Sequence, residues 1–158
     1  MENLSAFEDK SPEELLADVD NTHPALYYIL AAKLMCESRW DEAVFWYYVG
    51  QLRFRIHLAA RPELDPTGDP ALFASFTEVI GRPVNEYAFG DIEAVAATID
   101  KVLVWDDEHP DGFTPKGEFA DERENVREGL KDLRSEVLAE ADEIRQERKE
   151  HGLENRSE

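Results

Sequence analysis

Apolar positions along this chain recur at three- and four-residue spacing, the pattern of helices that bury one face. The densest stretch is Pro24–Ala60, which holds most of the large apolar side chains. Within it Tyr27, Leu30, Ala31, Leu34 and Met35 line one face of a helix that Thr22 is placed to cap. After a short break at 37–39, a second long helix runs from Trp40 through Ala43, Trp46, Tyr47, Gly50, Phe54 and Leu58. So short a break makes the two helices antiparallel neighbours. Upstream, Ser11-Pro12-Glu13-Glu14 has the form of a capping box with proline at the first helical position, opening a short helix through Leu15, Leu16 and Val19.

Downstream, the segment RPELDPTGDP at 61–70 is the clearest linker. Asp69 is expected to cap the helix that follows it, with Leu72, Phe73, Phe76, Val79 and Ile80 inside and a stop at Gly81. Val84–Gly90 reads as a turn of helix or an irregular corner. Ile92, Val95, Ala96, Ile99, Val102 and Leu103 form the next helical stripe, ending near Trp105, and an acidic loop follows. From Glu118 to about Glu150 a long charged helix is expected. Its narrow stripe of Phe119, Val126, Leu130, Leu133, Val137, Ala141 and Ile144 could lie across the hairpin or pair with a second copy of the chain. No alternating β-branched run occurs, so the expected fold class is all-α. The expectation is a single-domain bundle of five to six helices spanning 1–158, with flexible ends at 1–10 and 152–158.

The central hairpin resembles one tetratricopeptide-type unit. That family places a small residue midway along its first helix, then a Tyr/Trp-Asp-Glu-Ala start to the second, then an aromatic and a small residue. Aligned on Trp40-Asp41-Glu42-Ala43, the pattern falls on Tyr27, Leu30, Ala31, Leu34, Ser38, Tyr47 and Gly50. Ser38 stands where the family has a turn glycine, no proline follows the second helix at the usual place, and no second unit is visible. The resemblance implies close helix approach at Ala31, Ala43 and Gly50, in a lone unit that other helices must complete.

Charge changes the picture most. The chain has 36 Asp and Glu against 17 Lys and Arg, a formal net charge of -19. Such a field repels nucleic acid and anionic lipid, and attracts basic surfaces. Residues 23–60 carry three acidic and four basic side chains, so the hairpin is nearly neutral and the segments around it hold the negative charge. A generally acidic, soluble surface accounts for this as well as a partner-directed one does. Cys36, the single cysteine, lies in an apolar run and is expected to be buried and inert. No leader-like run opens the sequence and no stretch reaches the roughly 18 apolar residues of a membrane span, which points to a cytoplasmic location.

Motifs of known chemistry are absent: no phosphate-binding glycine loop, no nucleophile elbow, no zinc spacing. No cofactor is implied. Two polar groupings stand out. Arg53, Arg55 and His57 interrupt the second hairpin helix, either to grip an anion in a forked contact or to pair internally with carboxylates, which the scarcity of bases favours. Asp106, Asp107, Glu108 and Asp111 crowd one segment, without EF-hand spacing, and suit contact with a basic partner better than a metal. The leading functional expectation is a non-enzymatic acidic module that binds a basic protein, as an immunity- or antitoxin-type inhibitor does. The alternatives are an adaptor holding a peptide in a helical groove, and an enzyme of unrecognised type using Arg53, Arg55 and His57.

Overall fold

The computed structural model describes residues 9–157. Eight helices and no strands form among them: α1 Pro12–Leu16, α2 Ala25–Cys36, α3 Trp40–Ala60, α4 Asp69–Val79, α5 Gly81–Ala88, α6 Ile92–Glu108, α7 Ala120–Ala139 and α8 Ala141–Glu150. The Ser11 capping box forms as its sequence dictates, with the hydroxyl accepting from the Glu14 N–H at 3.2 Å and the Glu14 carboxylate accepting from the Ser11 N–H at 3.3 Å.

Helix α3 is the hub. It packs against α2, α4, α5, α6 and α7, and Val44, Tyr47, Tyr48, Val49, Leu52, Phe54 and Ile56 are all buried. A helix enclosed on so many sides has no single apolar face, which is why its sequence shows aromatics around the whole circumference. Gly50 permits the closest approach: a Cβ there would meet the Tyr27 Cβ and the Tyr28 ring at 3.2 Å. The α2–α3 turn closes with Ser38 N–H donating to the Met35 carbonyl and Arg39 N–H to the Leu34 carbonyl, both at 2.9 Å. This is the paired arrangement of a Schellman turn, which needs a left-handed residue, and Ser38 supplies it at φ 60°.

Several element boundaries differ from those the sequence suggests, each for a local reason. Thr22 does not cap α2; the Ala25 N–H is taken instead by the His23 Nδ1 at 3.0 Å. Asp69 does not cap α4 either: Gly68 occupies that position, and the Asp69 carboxylate is held elsewhere. Residues 84–88 are helical, as part of α5. The long C-terminal helix divides at Glu140 into α7 and α8, which raises the helix count beyond five to six. Helix α6 continues to Glu108, so Asp106, Asp107 and Glu108 form its last turn rather than a loop. Cys36 ends α2 and is exposed, not buried. The expected flexibility of residues 1–8 lies outside the described residues, whereas 156 and 157 hydrogen-bond through their N–H groups to the Gly90 carbonyl.

Helices α7 and α8 are two-faced. Leu130 and Val137 are buried, and Val126 and Leu133 pack half-buried against the core. The arginines of these helices reach α6 or its flank: Arg127 to Asp106 at 2.6 Å, Arg134 to Asp100 at 2.8 Å, and Arg145 to Glu93 at 3.1 Å. The apolar stripe that could have paired with a second copy is thus largely covered by α3 and α6.

Candidate functional site

The polar residues that interrupt α3 split into two environments. Arg53, His57 and Arg61 follow at four-residue steps and share a face; Arg55 lies on another and is exposed. The three proposed to act together in an unrecognised enzyme, Arg53, Arg55 and His57, are therefore not convergent.

Arg53 is 2% exposed. Its Nε donates to Asp106 Oδ1 at 3.0 Å, its Nη1 to the Pro110 carbonyl at 2.9 Å and to the Tyr27 hydroxyl at 3.3 Å, and its Nη2 to the His109 carbonyl at 3.1 Å. The guanidinium also lies 4.5 Å from the centre of the Trp105 ring. Asp106, 1% exposed, accepts in addition from Arg123 at 3.2 Å and Arg127 at 2.6 Å. Arg123 then bridges to Asp111 Oδ2 at 2.8 Å and to the Thr114 carbonyl at 2.9 Å. Buried charges require this degree of pairing. Of the four acids grouped by sequence, Asp106 and Asp111 are thus internal, while Asp107 and Glu108 face solvent. Burial drives the Tyr27 phenol up to about 12, against the opposing pull of Arg53, so it stays a hydroxyl and donates to the Val19 carbonyl.

A second cluster was not foreseen. His23 precedes α2, His57 lies in the last turn of α3, and Asp69 opens α4; both Nε2 atoms lie 2.8 Å from the same oxygen, Asp69 Oδ2. Two imidazoles and a carboxylate are a donor set that first-row metals accept, and one atom from each lies within 4.8 Å of the others. The outer contacts oppose it. A metal-bound imidazole donates its other N–H to an acceptor. Here His57 Nδ1 faces the Arg61 guanidinium at 2.7 Å and His23 Nδ1 faces the Ala25 N–H at 3.0 Å. Arginine cannot accept and a backbone N–H cannot accept, so both Nδ1 atoms do. The ring protons must then sit on Nε2, where both donate to Asp69. A metal at Nε2 would force the other tautomer and set donor against donor twice. The cluster suits a joint between three helices better than a metal centre.

The electrostatics agree. Burial lowers the His57 pKa, with Arg61 adding to the effect and the Asp69 hydrogen bond opposing it. Burial acts against the Asp69 carboxylate, but the hydrogen bonds from His23 and His57 outweigh it and hold its pKa below the ordinary value. Asp69 also sits in the first turn of α4, where the helix dipole favours negative charge. Arg61 extends the joint, donating to Thr114 Oγ1 at 2.8 Å and the Phe113 carbonyl at 3.0 Å. Sequence reasoning missed His23, Arg61 and Asp69; the four-residue step from Arg53 to His57 to Arg61 was the available signal.

Outside these clusters the surface is acidic. Only Arg55, Arg82, Lys101, Lys131, Lys149 and Arg156 among the bases of the described residues are exposed. On α7, Asp121, Glu124, Glu128, Asp132 and Glu136 form an exposed ridge at three- and four-residue steps; Glu140 at the break and Glu143 and Glu147 of α8 are exposed in turn. Like charges so spaced cost an isolated helix about 0.2–0.5 kcal/mol per pair.

No family model matches this chain, and no solved structure matches it. An uncharacterized protein of Haemophilus influenzae is 29% identical over 119 residues, covering 70% of this chain and 44% of that protein. The chain therefore spans less than half the length of the relative it matches.

Proposed function

We propose that this protein is a non-enzymatic binding module whose acidic outer face docks on a basic protein, in the manner of an immunity- or antitoxin-type inhibitor covering a positively charged cleft. The observation that carries the reading is the sorting of charge on α7 and α8: Arg127, Arg134 and Arg145 turn inward to α6, and the carboxylate ridge turns outward. Lys131 pairs with Glu128 at 3.1 Å along it, yet a merely soluble acidic surface has no need of a run of carboxylates at three- and four-residue steps. Complementary charge would steer association, giving an on-rate that falls as salt rises.

The frame for that face is read as a single tetratricopeptide-like hairpin, α2–α3, with Ala31, Ala43 and Gly50 buried at the helix contact and the remaining helices standing in for neighbouring repeats. A reducing cytoplasm fits the exposed thiol of Cys36.

The test is a charge reversal on the ridge. Glu128→Lys, Asp132→Lys and Glu136→Lys together are expected to leave the fold intact and to slow association with the native partner at least tenfold. Raising salt from about 50 to about 500 mM should slow the native chain similarly, since the screening length shrinks well below the span of the ridge. A partner bound equally well by the reversed chain, or binding indifferent to salt, removes the basis of the proposal.

A further inference from the structure

Among the cavities of the described surface, five differ in the charge of their linings. Four contain at least one carboxylate: Asp41, Glu42 and Asp91 in one, Glu37, Glu147, and Asp100 with Glu108 in the others. The fifth, between α3, α4 and α7, contains none. It has a volume of about 590 Å³, within the range of roughly 300–1,000 Å³ that holds small ligands. Leu52, Leu58, Phe73, Val126, Leu130 and Leu133 supply its apolar walls.

Its one charged residue is Arg55. In a chain of net charge -19, Arg55 makes no ion pair with any carboxylate among the described residues. Its guanidinium is nevertheless positioned. Nε donates to Gln51 Oε1 at 3.3 Å, and the Gln51 amide nitrogen is tied to the Tyr28 and Tyr47 hydroxyls at 3.0 Å and to Thr77 at 3.1 Å. The guanidinium carbon lies 5.2 Å from the centre of the Phe73 ring. These contacts leave the two terminal nitrogens as an open fork, the geometry that suits a carboxylate. On the facing helix, Gly129 lines the same groove, and a Cβ added there meets nothing within 4 Å.

We propose that this groove binds a small aliphatic carboxylate, with the tail along the leucine and valine walls and the acid group on Arg55. The acidic surface disfavours such an anion over most of its extent; a lining free of carboxylates, with one held guanidinium, is where it can be accepted. The site is separate from the ridge on the outer face of α7 and does not depend on the function proposed for it.

Decanoate and decanol, titrated into the full chain and followed by calorimetry, test this directly. Decanoate is expected to bind saturably at one site per chain and at least tenfold more tightly than decanol. Arg55→Gln should weaken decanoate at least tenfold, Gly129→Leu should fill the groove and abolish binding, and Arg82→Gln, at an exposed arginine elsewhere, should change nothing. Helical circular dichroism of all three variants checks that the fold survives. Equal binding of decanol, undiminished binding by Arg55→Gln or Gly129→Leu, or no saturation overturns the proposal. So does binding only by an apolar peptide with a free C-terminus, which would make the groove a peptide site.

Discussion

Asp106 accepts from three guanidiniums at once and is 1% exposed, so it is the residue on which the buried charges depend. Asp106→Ala would leave Arg53, Arg123 and Arg127 facing one another in a low-dielectric interior, and removing one partner of a buried pair costs about 3–5 kcal/mol. Asp107→Ala, one residue on and exposed, is expected to cost about 1 kcal/mol or less, as surface pairs do. Thermal denaturation of the two variants side by side checks the contrast. The His57 joint makes a second prediction, on pH. Its imidazole has a folded pKa below the 6.5 of the unfolded chain, so the unfolded state takes up the proton first as pH falls. The stability it contributes is present above about 6.5 and is lost as pH drops through the folded value. The Tm of the native chain should therefore decline between pH 7.5 and 5.5, and His57→Gln should flatten the decline.

Among elements, the α2–α3 hairpin shows most plainly how sequence sets local structure. Its alternating three- and four-residue apolar spacing predicts two helices, and the small residues at 31, 43 and 50 predict that they touch. Gly50, against Tyr27 and Tyr28, is the position where that contact is tightest. The turn carries a cost. Ser38 holds φ 60° in a conformation that glycine adopts freely and other residues adopt at about 1 kcal/mol or more. Ser38 is exposed, so its side chain contributes no packing. Ser38→Gly is expected to stabilise the protein by roughly 0.5–1 kcal/mol, less the added freedom of the unfolded chain, read as a rise in Tm. Where helices end was less legible. Asp69 has the sequence position of a cap, yet two histidines, one preceding α2 and one in α3, take its carboxylate, and no local pattern announces contacts separated by 46 and 12 residues.

At the scale of the molecule, charge and burial are sorted together. The basic residues are used largely inside or at helix seams: Arg53 and Arg123 around Asp106, Arg61 against the 113–114 segment, Arg145 across to α6. This leaves an exterior more acidic than a net charge of -19 alone suggests. No helix among the described residues is long and apolar enough to cross a membrane, and even α3 carries Arg53, Arg55 and His57. Paired charges in a low-dielectric centre hold the helices in register, and the outside is left predominantly acidic.

The amino-acid sequence by itself determined the helical class, the central hairpin and the excess of negative charge, because periodicity, small-residue spacing and charge counts are local or additive properties. Only the tertiary structure decided which carboxylates are internal. Asp106 and Asp107 are chemically alike and adjacent, but consecutive helical positions point about 100° apart, so one meets three arginines and the other meets water. The same geometry separated Arg53 from Arg55, placing one in the core and the other over the groove that faces α7.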